Sequence, residues 1–144
     1  MLDPTYIRSP QALEQIARVE GLPSLLEKIV KLQLYAIFMT PTDRWRQEGQ
    51  RVVEVLYEHL VWLKKVESQG ILFASGPFDQ TEDYWPGSGL AIVRAESLEA
   101  AQQLAQQEPF HREGLRENTV RSWQLNEGSL TLTVHLLNGA LQLT

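Results

Sequence analysis

The sequence predicts an α+β protein whose central part runs in the order βαββαβ, and three observations carry that prediction. An aromatic and aliphatic run over residues 32–40 stops at Pro41, as a buried strand does. A long helical pattern over 43–69 ends at Gly70, in the position of a helix C-cap. Two more strands, 71–75 and 89–95, flank a loop at 76–88 rich in Pro, Gly, Asp and aromatics, and a second helix then leads to a fourth strand at 118–125. In that order each helix covers one face of an antiparallel sheet, which is the ferredoxin-like arrangement.

The lead-in, residues 1–31, reads as a helical extension with two short helices, 10–20 and 23–31, each opening on Ser or Pro and separated by Gly21. Their apolar residues Leu13, Ile16, Leu25, Leu26, Ile29 and Val30 need cover, from the main body or from a partner chain. The second helix of the main domain starts at Ser97, a good N-cap with Glu99 in the first turn, and runs to Gln107 before Pro109. The main domain spans 32–144, of which 126–144 is a β extension. There Asn126-Glu127-Gly128 turns the chain into 129–136, where Leu130, Leu132, Val134 and Leu136 alternate with polar residues, and Asn138-Gly139 turns it again into a short last strand.

Composition narrows the function classes. The 144 residues are 43% apolar, enough for a real core but too interrupted for a membrane span. No basic start running into an apolar segment and a small-residue cleavage site opens the chain, so a cytoplasmic location is expected. Cysteine is absent, which removes thiolate nucleophiles, disulfides and Cys-ligated metal. A net charge of −5 without a basic block argues against nucleic acid, whose phosphates need a positive footprint. Neither GxGxxG nor GxxxxGK[ST] occurs, Ser75 lacks a nucleophile-elbow context, and no His pair has HxxxH or HExxH spacing, so neither a metal nor a cofactor is expected.

Candidate chemistry centres on His59. At about 100° per residue, Val52, Val53, Leu56, Leu60 and Leu63 form one stripe of the long helix that must lie on the sheet. His59 lies about 20° outside the position of Val52 and points inward. Two readings follow for it: a general acid or base in a cleft, or a buried imidazole satisfied by a backbone carbonyl. The Gly76-Pro77 turn presents Phe78 and Asp79, and a carboxylate there would fix the imidazole tautomer, unless Asp79 simply caps its turn. Tyr84 and Trp85, with Pro86, form either a pocket wall or a dimer contact. His111, after Glu108-Pro109-Phe110, lines a cleft or is a solvated loop residue, and His135 falls on the polar side of its strand.

Together, Glu58-His59-Leu60-Val61-Trp62-Leu63, then Gln69 through Phe78, then Ser97-Leu98-Glu99-Ala100-Ala101 and Glu108-Pro109-Phe110 through Gly114-Leu115 resemble the YCII-related family. The likeness covers about 32–125 and lies in the order and spacing of the motifs. It implies a ferredoxin-like fold that pairs as a homodimer into a dimeric α+β barrel, similar in shape to muconolactone isomerase. It further implies a pocket in which His59 sits with an acidic partner. The family's usual acid before Pro-Phe is Asp, and Glu108 stands there, one methylene longer.

The expected activity is therefore acid–base work by His59, oriented by Asp79 or else by Glu108, on a small carbonyl or lactone-like substrate, of isomerase or lyase type and without a cofactor. Phe78, Tyr84, Trp85, Glu108 and His111 complete the set expected to contact the ligand. The rival expectation is a non-catalytic dimeric module that binds a small molecule or pairs with a protein.

Overall fold

The computed structural model describes residues 9–137 and 139–143. In chain order the elements are α1 (Pro10–Arg18), α2 (Leu22–Glu27), β1 (Leu32–Pro41), α3 (Asp43–Gln47), α4 (Gly49–Ser68), β2 (Leu72–Pro77) and β3 (Gly89–Val93). They continue as α5 (Leu98–Gln107), α6 (Pro109–Arg112), β4 (Arg116–Leu125), β5 (Leu132–His135) and β6 (Ala140–Leu143). The chain divides into two compact units, Leu32–Leu125 and a second made of the segments on either side of it.

The larger unit has the α+β fold that the order of elements predicts, a four-stranded antiparallel sheet in the order β2-β3-β1-β4. β1 is central, with Tyr35 opposite Val93 on β3 and Ser122 on β4. Its Tyr35, Ile37 and Met39 pack with Ala91 and Val93 of β3 and with Ala101 and Ala105 of α5. The small α5 residues let the helix lie close on the sheet. Ser97 caps that helix as its residue type predicts, its Oγ accepting from the Ala100 N–H at 3.1 Å.

The helix expected over 43–69 is two helices. Glu48 leaves the helical region at φ −119° and ψ 50°, and Gly49, a weak helix former, opens α4. The break lets α3 bury Trp45 in a second cluster with Val52, Val55, Phe110 and Leu115. The buried stripe of α4 is also rotated from its expected position. Val52, Val55, His59 and Val66 are buried, Leu56 and Leu63 are half-buried, and Val53 and Leu60 are 69% and 55% exposed. Apolar residues occupy a broader arc of α4 than one packed face covers, and packing against α6 and β2 selects the Val55 side. His59 therefore lies within the packed face and not at its rim.

Two short features shape the site. Glu108-Pro109-Phe110, just beyond the helix expected to end at Gln107, opens α6, with Pro109 at its first position and Glu108 as N-cap. Gly87, at φ +98°, lets the loop between β2 and β3 press on Trp45, where a Cβ would lie 2.4 Å from the indole Cε2.

In the smaller unit, Ser9 Oγ caps α1 by accepting from the Ala12 N–H at 3.2 Å, and Gly21 in the left-handed conformation separates α1 from α2. β5 and β6 form an antiparallel pair of their own, and the Val30 N–H donates to the Asn126 carbonyl at 3.0 Å. The strands after Leu125 thus group with the segment before Leu32. His135 is exposed, as are Leu130, Leu132, Val134 and Leu136. Of the expected Asn138-Gly139 turn, Gly139 takes a positive φ of 66°, and Asn138 lies outside the described residues. No helix among the described residues is long and apolar enough to cross a membrane.

Candidate active site

α4 carries His59 to the buried side of the larger unit, where its Nδ1 lies 2.6 Å from Glu108 Oε1. The His59 side chain is 7% exposed and that of Glu108 1%. Glu108 is held by its neighbours: Oε1 accepts from the Phe110 N–H at 3.1 Å, and Oε2 accepts from the His111 N–H at 2.9 Å and from Asn118 Nδ2 at 3.1 Å. Burial alone would raise its pKa. The His59 hydrogen bond and charge, the nearby Arg116 and the His111 N–H outweigh that, so its pKa is below the usual carboxylate value. An ionised Glu108 accepts and Nδ1–H donates, which fixes the tautomer and leaves Nε2 as the ring atom free to meet a ligand.

Arg116, the first residue of β4, is 3% exposed and reaches under the same site. Its Nη1 is 3.9 Å from Glu108 Oε1, its Nε donates to the Gly87 carbonyl at 2.7 Å, and its guanidinium lies over the rings of Phe110, Trp45 and Trp85 at 4.6, 5.2 and 5.3 Å. Burial, partly offset by Glu108, pushes its pKa down to about 10, so it is charged at neutral pH. Phe110 packs with tilted rings at 4.9 Å against both His59 and Trp45, tying the imidazole to this aromatic cage.

A cavity of about 320 Å³ opens onto these groups. Met39, Leu56, Leu60, Leu63, Pro77 and Trp85 give it apolar walls, Gly76 and Gly89 add side-chain-free backbone, and His59, Arg116 and Gln80 are its polar lining. Among the described residues no group of three or more His, Asp or Glu is placed to hold a metal ion.

The sequence model of the YCII-related domain matches residues 34–124, more than half of the chain. The chain belongs to the YCII-related family. No curated protein matches it significantly. Among solved structures it is similar to 5-chloro-2-hydroxyhydroquinone dehydrochlorinase (TftG) from Burkholderia phenoliruptrix AC1100, determined in complex with 2,5-dihydroxybenzoquinone, with a TM-score of 0.52 and 21% identity over 62% of this chain and 92% of that one. At that identity the likeness concerns the fold.

In this YCII-related chain, the expected site residues are only partly brought together. His59, Glu108 and Trp85 converge on the site, but the carboxylate on His59 is Glu108 and not Asp79. Asp79 is exposed in a left-handed turn conformation, φ 53°, which Asp tolerates better than most residues. Phe78 and Tyr84 are 40% and 60% exposed and do not line the cavity. His111 sits on the far side of Glu108, where its Nδ1 accepts from the Asn118 N–H at 3.1 Å and it lines a separate hollow with Gln102, Gln106 and Asn118.

Arg116 and Asn118 were not among the expected residues. Their signal is the period of two in β4, since both share a sheet face with Val120, the three standing opposite Pro41, Met39 and Ile37 of β1. A polar residue on a strand face that also carries core residues needs a buried partner.

Proposed function

We propose that this protein is an acid–base catalyst of isomerase or lyase type, working without a cofactor on a small carbonyl or lactone-like substrate. The observation that carries this reading is the 2.6 Å contact between Nδ1 of His59, which lines an apolar cavity, and the buried carboxylate of Glu108 behind it. Nε2 would take a proton from carbon next to the substrate carbonyl, and Glu108 would stabilise the resulting imidazolium. Return of that proton to a different carbon completes an isomerisation, whereas loss of a leaving group from the neighbouring carbon completes an elimination. Glu108 takes the orienting role first assigned to Asp79. The similar structure supports the lyase form, because a dehydrochlorinase performs an elimination and was seen with a small oxygenated ring.

A homodimer of the α+β barrel kind, in the cytoplasm, is part of the same reading. Support comes from exposed apolar side chains on strands of the larger unit, Phe73 and Trp123 at 39% and 41%, which a second copy would cover. Light scattering that gives a monomer at micromolar concentration would contradict the dimer.

One observation favours the rival, a non-catalytic binding module. Glu108 is fully used as cap of α6 and as partner of Asn118, so it has a structural task of its own. Hydrogen–deuterium exchange at carbon next to the carbonyl, followed by NMR over a panel of small ketones and lactones, separates the two. Catalysed exchange lost in His59→Gln is the catalytic outcome, and binding without exchange is the outcome of the rival.

A further inference from the structure

We infer that Arg116 makes the His59 cavity selective for a small, flat, monoanionic ligand, with the negative oxygen seated on the guanidinium. The inference rests on the reading that this cavity is the functional site and specifies the ligand class that it takes.

A guanidinium offers five N–H donors. Among the described residues the acceptors on Arg116 are the Gly87 carbonyl at 2.7 Å and the weak acceptor Met39 Sδ at 3.5 Å, with Glu108 Oε1 further off at 3.9 Å. A side chain 3% exposed cannot satisfy the remaining donors in bulk solvent, and the cavity is the space it borders. Glu108 offsets part of its charge from 3.9 Å but accepts no hydrogen bond from it, its short contact being with His59. The rings of Trp45, Trp85 and Phe110 surround the guanidinium, fixing the plane in which an incoming oxygen is met.

Size and wall chemistry set the rest of the ligand. A cavity of roughly 150 Å³ accommodates benzene, so about 320 Å³ accommodates one substituted ring. The walls are hydrocarbon and indole, which favours a body with few polar groups. An enolate, phenolate or carboxylate on such a ring would face Arg116 while its neighbouring carbon faces Nε2 of His59. Arg116 would then bind the negative oxygen that proton removal creates as well as one already present.

The test is equilibrium binding to the full chain of two probes of one shape, 4-nitrophenolate at mildly alkaline pH and neutral 4-nitrotoluene. Charge-assisted hydrogen bonding predicts about tenfold or greater preference for the anion, falling below about threefold in Arg116→Met. Arg116→Lys, which keeps the charge without the planar fork, retains part of the preference. His59→Gln leaves it intact, which assigns it to the guanidinium and not to an imidazolium. Equal binding of the two probes, a preference that survives Arg116→Met, or one abolished by His59→Gln would overturn the inference. Should Arg116→Met not fold, the wild-type ratio and its persistence in His59→Gln decide. No turnover is needed, so an absence of proton chemistry at His59 leaves the probe ratio intact, and loss of the ratio leaves that chemistry untouched.

Discussion

His59 on α4 and Glu108 at the start of α6 are 49 residues apart in sequence and 2.6 Å apart in space, and the same carboxylate that holds the imidazole also caps the helix. One side chain thus serves a helix end, a strand residue and a candidate catalytic base. Substitutions at Glu108 can separate these tasks.

Glu108→Ala removes the cap and leaves the His59 Nδ1–H, the Phe110 and His111 N–H groups and Asn118 Nδ2 short of an acceptor. Loss of a cap costs about 1 kcal/mol and buried unpaired groups about 1–3 kcal/mol, so a total loss of roughly 2–4 kcal/mol is expected in urea unfolding. Glu108→Asp keeps a good capping residue but withdraws the carboxylate from His59. Its stability should fall by no more than about 1.5 kcal/mol, while any activity that depends on the pair falls with the lost contact.

Acid should weaken the fold through the same residue. In the unfolded chain Glu108 titrates near 4.5, and in the folded chain its pKa lies lower, so over the interval below 4.5 the unfolded state binds more protons. Its stabilising contribution is complete above 4.5 and is lost as pH falls through the folded value. Urea midpoints measured down through this window should decline, and Glu108→Gln should flatten that part of the profile.

Gly87→Ala tests whether the loop between β2 and β3 positions the aromatic cage. The added Cβ would meet Trp45 at 2.4 Å at a φ of +98°. Overpacking costs about 1–3 kcal/mol before the backbone penalty is added. Near-UV circular dichroism should lose its indole signal in step, because Trp45 and Trp85 stack edge to face at 5.1 Å. By contrast, Gly70→Ala, with nothing within 4 Å of its Cβ, pays only the positive-φ penalty and should leave that signal intact.

The fold was readable in the sequence because its signals are local. Pro41 and Gly70 bound elements, Ser97 caps one, and the order of strands and helices then admits few sheets. Inward placement of His59 was also readable, since it needs only the helical period. What the sequence hid is long-range. Asp79 was preferred to Glu108 because it stands beside a strand-end turn, whereas the Glu108 contact depends on how α6 docks against α4, which no local pattern encodes. The rotation of the α4 stripe has the same origin, because Val53 and Val55 are alike in the sequence until a neighbour chooses a side. Arg116 falls before the strand expected over 118–125, and only the extension of β4 to Arg116, on the face shared with Val120, brings it into the core.

The most direct test of the account is the protonation state of His59 itself, read from imidazole ¹⁵N shifts in the wild-type chain and in Glu108→Gln. The geometry predicts a proton on Nδ1, donated to Glu108, and a free lone pair on Nε2 in the neutral ring, a tautomer that the carboxylate fixes and that Glu108→Gln holds less firmly. A neutral ring carrying its proton on Nε2 in the wild-type chain would contradict His59 as the acid–base group.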